Sequence, residues 1–292
     1  MHRHLDGSLR AATVAEFAAA LGVRVPDDLL FSPNMGLNAA LSRFAFTLSL
    51  LQSTDAVRRV AREMCEDAAN DGVTTLEIRF APQLHGNPIE AVVEAALEGI
   101  DGRAGLILCA LYGDAPELVM QLVETAATRT GVVGIDLAGG PQPTQTWDMA
   151  DYAPAFRHAE AQGIGRTVHA GEGRPPEEIR IAVDVLRANR IGHGTTVLDD
   201  PAVVDRLIEG RITIEACPTS NVHTGIIASV SEHPLATWLD RGLQACVCTD
   251  NTLLSDVVQS QELRNVRAIP GMTDAKIAEL TQYGHAAAFA GM

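Results

Sequence analysis

The sequence of 292 residues lacks the features of several protein classes. It contains no run of about 18 apolar residues, so we expect no membrane span. Its start shows no basic segment followed by an apolar one, so we expect no signal peptide. Basic residues are scarce, because 22 lysines and arginines stand against 37 aspartates and glutamates, for a net charge of −15. Such a surface repels phosphates, which argues against nucleic acids and anionic membranes as partners.

The five cysteines include no C-x-x-C pair, and most of them stand in apolar stretches such as LILCALY and IEACP. This setting predicts buried, reduced thiols in a cytoplasmic protein. The chain also has no internal repeat, low-complexity tract or linker rich in proline and serine. We therefore expect residues 1–292 to form a single domain, and the oligomeric state stays open.

Short apolar runs alternate with longer helical patterns along the chain. Helical patterns occur at 55–69, 115–129, 176–188 and 201–209, and Asp200-Pro201 is typical of a helix start. The predicted strands are residues 2–5, 74–80, 106–112, 132–137, 166–169, 190–192, 212–216 and 243–249. This alternation predicts an α/β fold, a (β/α)8 TIM barrel, with extra helices at 31–52 inserted after the first strand. The competing doubly wound sheet lacks its glycine-rich phosphate fingerprint after the first strand.

Polar residues stand where several of these strands end. In a TIM barrel the catalytic residues come from the carboxyl ends of several strands. The residues at these ends are His2, His4, Asp6, Gly139, His169, Glu172, His193, Asp250 and Asn251. We therefore expect them to surround one active site.

His2 and His4 indicate a metal site, because their spacing places both side chains on one face of a strand. Together with His169 and Asp250 they would supply three imidazoles and one carboxylate. This ligand set suits zinc with a position left for water. The only lysine is Lys276, in a helical pattern, so we expect one Zn²⁺ ion and no binuclear centre bridged by a carbamylated lysine.

Other polar residues are interpreted as structural. We expect the CPTSN stretch at 217–221 to shape a supporting loop, and Glu77 and Arg79 to form a buried ion pair. Phe44 and Phe46 belong either to an apolar lid or to a helix core. The remaining histidines are also interpreted as structural: His85, His158, His223, His233 and His285.

Six motifs resemble the adenosine deaminase family of the amidohydrolase superfamily, and they follow in that family's order. They are HRHLDGSL, GIDLAG, TVHAGE, RIGHG, CPTSNVHTG with a later HPLATWLDRGL, and CTDN. The resemblance implies a zinc-dependent barrel that replaces the 6-amino group of a purine nucleoside, giving the 6-oxopurine and ammonia. It implies that His2, His4, His169 and Asp250 bind zinc. It also implies that Glu172 donates a proton to ring N1 and that His193 orients and helps to deprotonate the attacking water.

The resemblance implies substrate contacts as well. Gly139 matches a glycine whose N–H contacts purine N3, and Asp6 matches an acid that contacts the ribose 5′-hydroxyl. Asn251 stands where many members have an aspartate that contacts N7, and an amide can donate to N7 without being protonated. LAGG followed by PQPTQTW replaces an acidic residue at the sugar side, which leaves the sugar substituent open.

Several functions therefore stay open. The first is deamination of adenosine or 2′-deoxyadenosine, and the alternative is 6-amino-6-deoxyfutalosine, a menaquinone precursor with a bulky 5′ substituent. Adenine is a lesser alternative, because adenine-specific relatives tend to carry glutamate where this chain has Asp6. A metal-dependent amidase or lactonase on the same barrel, and a binding protein with a vestigial site, are further options. The H-x-E…P-C-x-x-C signature of nucleic-acid deaminases is missing.

Overall fold

The computed structural model describes residues 1–141 and 144–289. Seven strands form one parallel sheet in the order in which they occur in the chain. They are β1 Glu77–Phe80, β2 Gly105–Leu111, β3 Val132–Ala138, β4 Gly165–Ala170, β5 Arg190–His193, β6 Thr213–Ala216 and β7 Gln244–Val247. Each lies at a predicted strand, and the largest difference is that β1 begins at Glu77 instead of residue 74. The strand starts late because the chain just before residue 74 still completes the end of a helix, where Val73 N–H donates to Ala68 O at 2.9 Å.

Residues 2–5, the predicted first strand, close the sheet into a barrel without forming a regular strand. Arg3 pairs with Asp250 and His4 pairs with Arg79, both in parallel orientation. His4 N–H donates to Asp250 O at 2.8 Å and Leu5 N–H donates to Arg79 O at 2.9 Å, so the segment joins both edges of the sheet. A turn closed by Ser8 N–H and Leu5 O ends the pairing. The predicted (β/α)8 TIM barrel is confirmed, with an eighth strand reduced to these bridges.

The helices alternate with the strands as predicted. In the described part of the chain they are α1 Ala11–Leu21, α2 Leu37–Leu50, α3 Thr54–Asn70, α4 Ile89–Ile100, α5 Pro116–Ala127, α6 Ala153–Ala161, α7 Glu177–Asp184, α8 Pro201–Gly210, α9 Pro218–His223, α10 Leu235–Asp240, α11 Gln259–Asn265 and α12 Asp274–Ala286. The predicted insertion contains α2. None of these helices combines the length and apolar character needed to cross a membrane.

Local sequence explains where the helices begin and which face they bury. Asp200 caps α8 by accepting from Ala202 N–H at 2.9 Å, with Pro201 in the first turn, as the sequence predicts. Helix α3 repeats apolar residues such as Val57, Val60 and Met64 at helical spacing, and all three are buried. All five cysteines are buried and unpaired, as expected.

Candidate active site

The four proposed metal ligands converge at the carboxyl ends of the strands. The Nε2 atom of His4 lies 3.2 Å from the Nε2 atoms of both His2 and His169. The Oδ1 atom of Asp250 lies 3.5 Å from Nε2 of His2 and from Nε2 of His4. The structure thus brings together four residues from three distant parts of the sequence.

These donor atoms fit one zinc ion. Zinc–nitrogen bonds of about 2.0–2.1 Å in a tetrahedral site separate neighbouring ligand atoms by roughly 3.3 Å. The observed separations of 3.2 and 3.5 Å are close to this value. Burial lowers the pKa of His4 and of His169, which leaves both imidazoles neutral and able to donate a lone pair.

Two buried carboxylates orient the imidazoles from behind. His2 Nδ1 lies 2.8 Å from Glu215 Oε2, and His169 Nδ1 lies 3.2 Å from Asp136 Oδ1. Arg79 joins both carboxylates, because its Nη1 donates to Asp136 Oδ2 and its Nη2 to Glu215 Oε2, each at 2.9 Å. Such partners fix the tautomer and ring orientation of metal-binding histidines.

The charges around these carboxylates keep them ionised. Burial by itself would raise the pKa of Asp136, but the interactions of this carboxylate with His169 and Arg79 outweigh burial and hold that pKa below its usual range. The pKa of Glu215 is lowered in the same way, mainly by Arg79 and Arg190 against the effect of burial. At His2, burial and the charge of Arg79 lower the pKa, but the interactions with Asp250 and Glu215 raise it overall to about 9.

Glu172 and His193 lie beside the candidate metal ligands. Glu172 is buried, and this burial, together with the charge of Asp250, raises its pKa to about 8, which keeps the carboxyl protonated at neutral pH. Its Oε1 is 3.8 Å from His193 Nδ1 and its Oε2 is 3.9 Å from Arg174 Nη1. Burial lowers the pKa of His193, so this imidazole is neutral.

Two site residues adopt a backbone conformation that is rare for residues with a side chain. His193 has φ = 65° and Asp250 has φ = 61°, both in the left-handed region. Side-chain contacts from α9 hold them there: Asn221 Nδ2 donates to His193 Nδ1 at 3.1 Å, and Ser220 Oγ donates to Asp250 Oδ2 at 2.6 Å. Strain of this kind persists where surrounding contacts over-determine it, as they do at active sites.

A cavity of about 210 Å³ opens above these residues. Its polar base includes Asp6, Asn251 and Glu172 together with three of the candidate metal ligands, His4, His169 and Asp250. Asp6 has a pKa raised to about 7, chiefly by burial, and its Oδ1 atom has no hydrogen-bond partner in the described structure. Gly139 also lines the cavity at φ = 76°, and nothing lies within 4 Å of a Cβ placed there, so the backbone angle requires this glycine.

Helix α2 covers the cavity with apolar side chains from one face. Leu37, Leu41, Phe44 and Leu48 follow helical spacing, and all four line the cavity. The Phe44 ring lies 6.4 Å from the His4 ring, centroid to centroid, so the helix passes close to the candidate metal ligands. Both Phe44 and Phe46 pack against the core, and of the two only Phe44 lines the cavity.

The structure corrects the predicted pairing of Glu77 with Arg79. Arg79 pairs with Asp136 and Glu215, and Glu77 pairs with Arg190, whose Nη2 lies 2.7 Å from Glu77 Oε2. Positions 77 and 79 lie on the same face of β1. The closed barrel nevertheless brings opposite charges from other strands beside each of them, so each side chain pairs across the barrel instead of along its own strand. Both residues are fully buried, so the expectation of buried ion pairs is confirmed.

Sequence reasoning missed the roles of Asp136 and Glu215. Both lie inside motifs that the sequence singles out, GIDLAG and IEACP. The feature that could have indicated their roles is a carboxylate within an otherwise apolar strand. The CPTSN stretch supports the site as expected, through Ser220 and Asn221, but the expected loop is wrong, because Pro218–His223 form helix α9. In the loop after Gly140, residues 142 and 143 lie outside the described part of the chain.

A family model described as Adenosine deaminase matches residues 1–292. The chain belongs to the adenosine deaminase family. Adenosine deaminase of Serratia proteamaculans (strain 568) is 34% identical to it over 311 residues, which cover 99% of this chain and 92% of the relative. Adenosine deaminase of Klebsiella pneumoniae subsp. pneumoniae is 34% identical over 313 residues, with coverage of 100% and 93%. Adenosine deaminase family members are metal-dependent hydrolases that act on C–N bonds, and this chain is one of them.

Solved structures that share this fold are associated with different purine compounds, namely adenine, IMP and N6-mAMP. Adenine deaminase from Arthrobacter aurescens matches with a TM-score of 0.87 at 25% identity, covering 99% of this chain and 92% of that chain. The Arabidopsis N6-mAMP deaminase matches with a TM-score of 0.87 at 28% identity and the same coverage. Arabidopsis ADAL complexed with IMP matches with a TM-score of 0.87 at 27% identity, covering 99% and 91%. These likenesses support deamination and leave base, nucleoside and nucleotide as possible substrates.

Proposed function

We propose that the protein catalyses zinc-dependent hydrolytic deamination of a 6-aminopurine nucleoside, adenosine or 2′-deoxyadenosine, to the 6-oxopurine nucleoside and ammonia. The observation that supports this most is the convergence of three Nε2 atoms and one carboxylate beside a buried Glu172 whose pKa is about 8. A metal-binding donor set and a protonated acid in one cavity match the needs of attack at C6 with charge developing on N1.

In this proposal, His2, His4, His169 and Asp250 bind the metal. Zinc in such a site supplies a strong nucleophile at neutral pH by lowering the pKa of water to about 7. Glu172 holds the proton that passes to N1, because attack at C6 breaks the aromaticity of the ring and leaves charge on N1. His193 accepts from Asn221 through Nδ1, which leaves the proton on Nε2 and favours a role in orienting the attacking water.

The remaining proposed contacts bind the purine and the sugar. Gly139 offers its N–H to N3, and the amide of Asn251 faces N7. The unpartnered Oδ1 atom of Asp6 accepts from the 5′-hydroxyl, which satisfies a buried acceptor that has no partner within the described protein. A nucleoside therefore matches the polar groups of the cavity better than a free base does.

The charge of the cavity favours a nucleoside over a nucleotide. Among the described residues, no lysine or arginine lines it, whereas the carboxyl groups of Asp6, Glu172 and Asp250 do. The nearby guanidinium of Arg174 is engaged with Glu178, with Nε 2.8 Å from both carboxylate oxygens. A 5′-phosphate would meet these carboxyl groups without a lysine or arginine in the described lining, which disfavours a nucleotide. The small volume, about 210 Å³, also favours a compact nucleoside over the bulky 5′ substituent of 6-amino-6-deoxyfutalosine.

The test compares kcat/KM for adenosine, 2′-deoxyadenosine, AMP, 6-amino-6-deoxyfutalosine and adenine, measured as ammonia release by the purified protein with zinc. We expect the two nucleosides to lead and AMP to be at least about a hundredfold worse, because its phosphate stays unpaired. Turnover of AMP or of the futalosine derivative above that of adenosine would overturn the substrate assignment. Hydrolysis of cyclic amides without any purine deamination would overturn the reaction class.

A pair of neighbouring substitutions on α2 sharpens the nucleotide test. Leu41→Lys places a cation in the cavity lining, whereas Ser42→Lys adds the same charge on the exposed side of the helix. We expect the ratio of AMP to adenosine turnover to rise in Leu41→Lys and to stay unchanged in Ser42→Lys. An equal change in both variants would show that the charge of the lining does not set this preference.

A further inference from the structure

Residues 287–289 enter the end of the barrel opposite the candidate active site. They follow α12, and the Phe289 ring lies against Gly134 and Gly165, near the amino ends of β3 and β4. These glycines are register partners, and a Cβ on either would come within 2.7 Å (Gly134) or 2.2 Å (Gly165) of Phe289 ring atoms. Two facing glycines thus leave a recess that the phenyl ring fills.

Three contacts tie this segment to a buried ion pair. Arg190 Nη1 donates to Ala287 O at 2.9 Å, and Phe289 N–H donates to Glu77 Oε1 at 2.7 Å. The Arg190 guanidinium carbon lies 3.5 Å from the centroid of the Phe289 ring. A cation held over an aromatic face in a desolvated site is attracted by the negative face of the ring. Phe289 therefore restrains Arg190 from the side that points away from the active site.

The same arginine reaches the carboxylate that orients a proposed metal ligand. Arg190 Nε lies 2.7 Å from Glu215 Oε1, and the other oxygen of Glu215 is 2.8 Å from His2 Nδ1. Arg190, Glu215 and His2 are all at most 1% exposed. Contacts between buried side chains therefore connect Phe289 to His2 through Arg190 and Glu215. Inside a protein such contacts are strong, and a missing partner is not replaced by bulk water.

We propose that Phe289 is a positioning residue for His2 and that it acts on metal affinity through Arg190 and Glu215. This inference rests on the proposed metal site. Loss of the ring frees the Arg190 guanidinium to shift into the recess, which weakens its hold on Glu215 and the orientation of the His2 imidazole. Loss of an outer partner typically lowers metal affinity by about 10- to 100-fold. Because Phe289 lies two contacts beyond Glu215, we expect the lower end of that range.

A second phenylalanine under an arginine provides the control. Phe17 lies on α1, and the Arg59 guanidinium carbon is 5.2 Å from its ring centroid. Arg59 pairs with Glu16 and Glu63, and none of these residues contacts the proposed metal ligands in the described structure. Phe17→Ala thus removes the same ring and a similar contact without touching the contacts that connect Phe289 to His2.

The experiment measures zinc dissociation constants of wild type, Phe289→Ala and Phe17→Ala by competition with a chromophoric chelator, well below each Tm. The absorption spectrum of the cobalt(II)-substituted proteins reports the ligand geometry. We expect zinc Kd to rise about tenfold in Phe289→Ala, with a changed cobalt spectrum, and to stay unchanged in Phe17→Ala.

Phe289→Leu keeps most of the side-chain volume but has no aromatic face, so this variant replaces Phe289→Ala in the experiment if Phe289→Ala does not fold. If both phenylalanine sites lower Tm while zinc Kd and the cobalt spectrum stay those of wild type, the ring only fills space and the inference is overturned. If wild type itself binds no zinc, the proposed function fails, which is a distinct result.

Discussion

Glu172→Gln separates proton donation from every other property of the site. The glutamine has the shape of the carboxyl group, but it carries no acidic proton. Glu172 is 6% exposed, and burial, aided by the charge of Asp250, raises its pKa to about 8. The wild-type side chain is therefore already neutral at pH 7, and the substitution leaves the charge of the cavity unchanged.

The expected loss of turnover follows from the role of the proton. A positioned general acid contributes about 10²–10⁴ in rate, which corresponds to roughly 3–5 kcal/mol of activation free energy. Zinc binding should persist, because the proposed ligands are His2, His4, His169 and Asp250, and His4 lies 3.2 Å from both other imidazoles and 3.5 Å from Asp250 without contact to Glu172. We expect kcat for adenosine to fall at least about a hundredfold with zinc content unchanged.

The same substitution should stabilise the metal-free protein. The raised pKa means that the folded state keeps a proton that the unfolded chain loses above a pKa of 4.5, so the wild type loses stability as pH rises from there to about 8. At pH 7 this amounts to about 3 kcal/mol as an upper bound, since each pKa unit is worth about 1.4 kcal/mol. The Glu172→Gln variant does not lose this stability. Its free energy of unfolding should therefore exceed that of wild type at pH 7, and the difference should vanish below about pH 4.5.

The assays are steady-state ammonia release, zinc content by atomic absorption, and urea unfolding of the chelator-treated protein at pH 5 and pH 7. Glu63→Gln serves as control, because Glu63 is a buried carboxylate that pairs with Arg59 and Thr13 outside the cavity. That variant should lose stability and keep turnover. A Glu172→Gln enzyme with near-normal kcat would refute the assignment of the proton donor.

Three further expectations concern the metal, the pH dependence of folding and the purine contact. Asp136→Asn removes the carboxylate behind His169, and zinc Kd from chelator competition should rise about 10- to 100-fold; an unchanged value would contradict the orienting role. Burial lowers the pKa of His233 to about 3, so the free energy of unfolding should fall as pH drops below about 6.5. His233→Asn keeps an acceptor for Leu235 N–H. In urea unfolding, the free energy of unfolding of this variant should fall by about 2 kcal/mol less than that of wild type between pH 7 and pH 5. The same pH dependence in both proteins would contradict the buried, neutral state of His233. Asn251→Asp should make kcat/KM for adenosine decline as pH rises through the carboxyl pKa, because only the protonated acid donates to N7, whereas a flat profile would exclude that contact.

Local patterns in the sequence predicted the seven regular strands, several of the helices and the identity of the candidate ligands. The alternation of apolar runs and helical patterns predicted the strands, and Asp200-Pro201 predicted the start of α8. The spacing of His2 and His4 places both on one face because side chains in an extended segment repeat every two residues. These properties depend on neighbours within a few residues, so they can be read without the fold.

Contacts between distant residues depended on the closed barrel. His2 and Glu215 are 213 positions apart, and Phe289 and Glu77 are 212 apart, yet each pair lies within 2.8 Å. Their meeting depends on strand register and on closure of the sheet by residues 2–5, which no local pattern encodes. The carboxylates were visible in the sequence as charges inside apolar strands. Only the tertiary structure decided their partners, because each buried charge pairs with whichever opposite charge the closed barrel brings beside it.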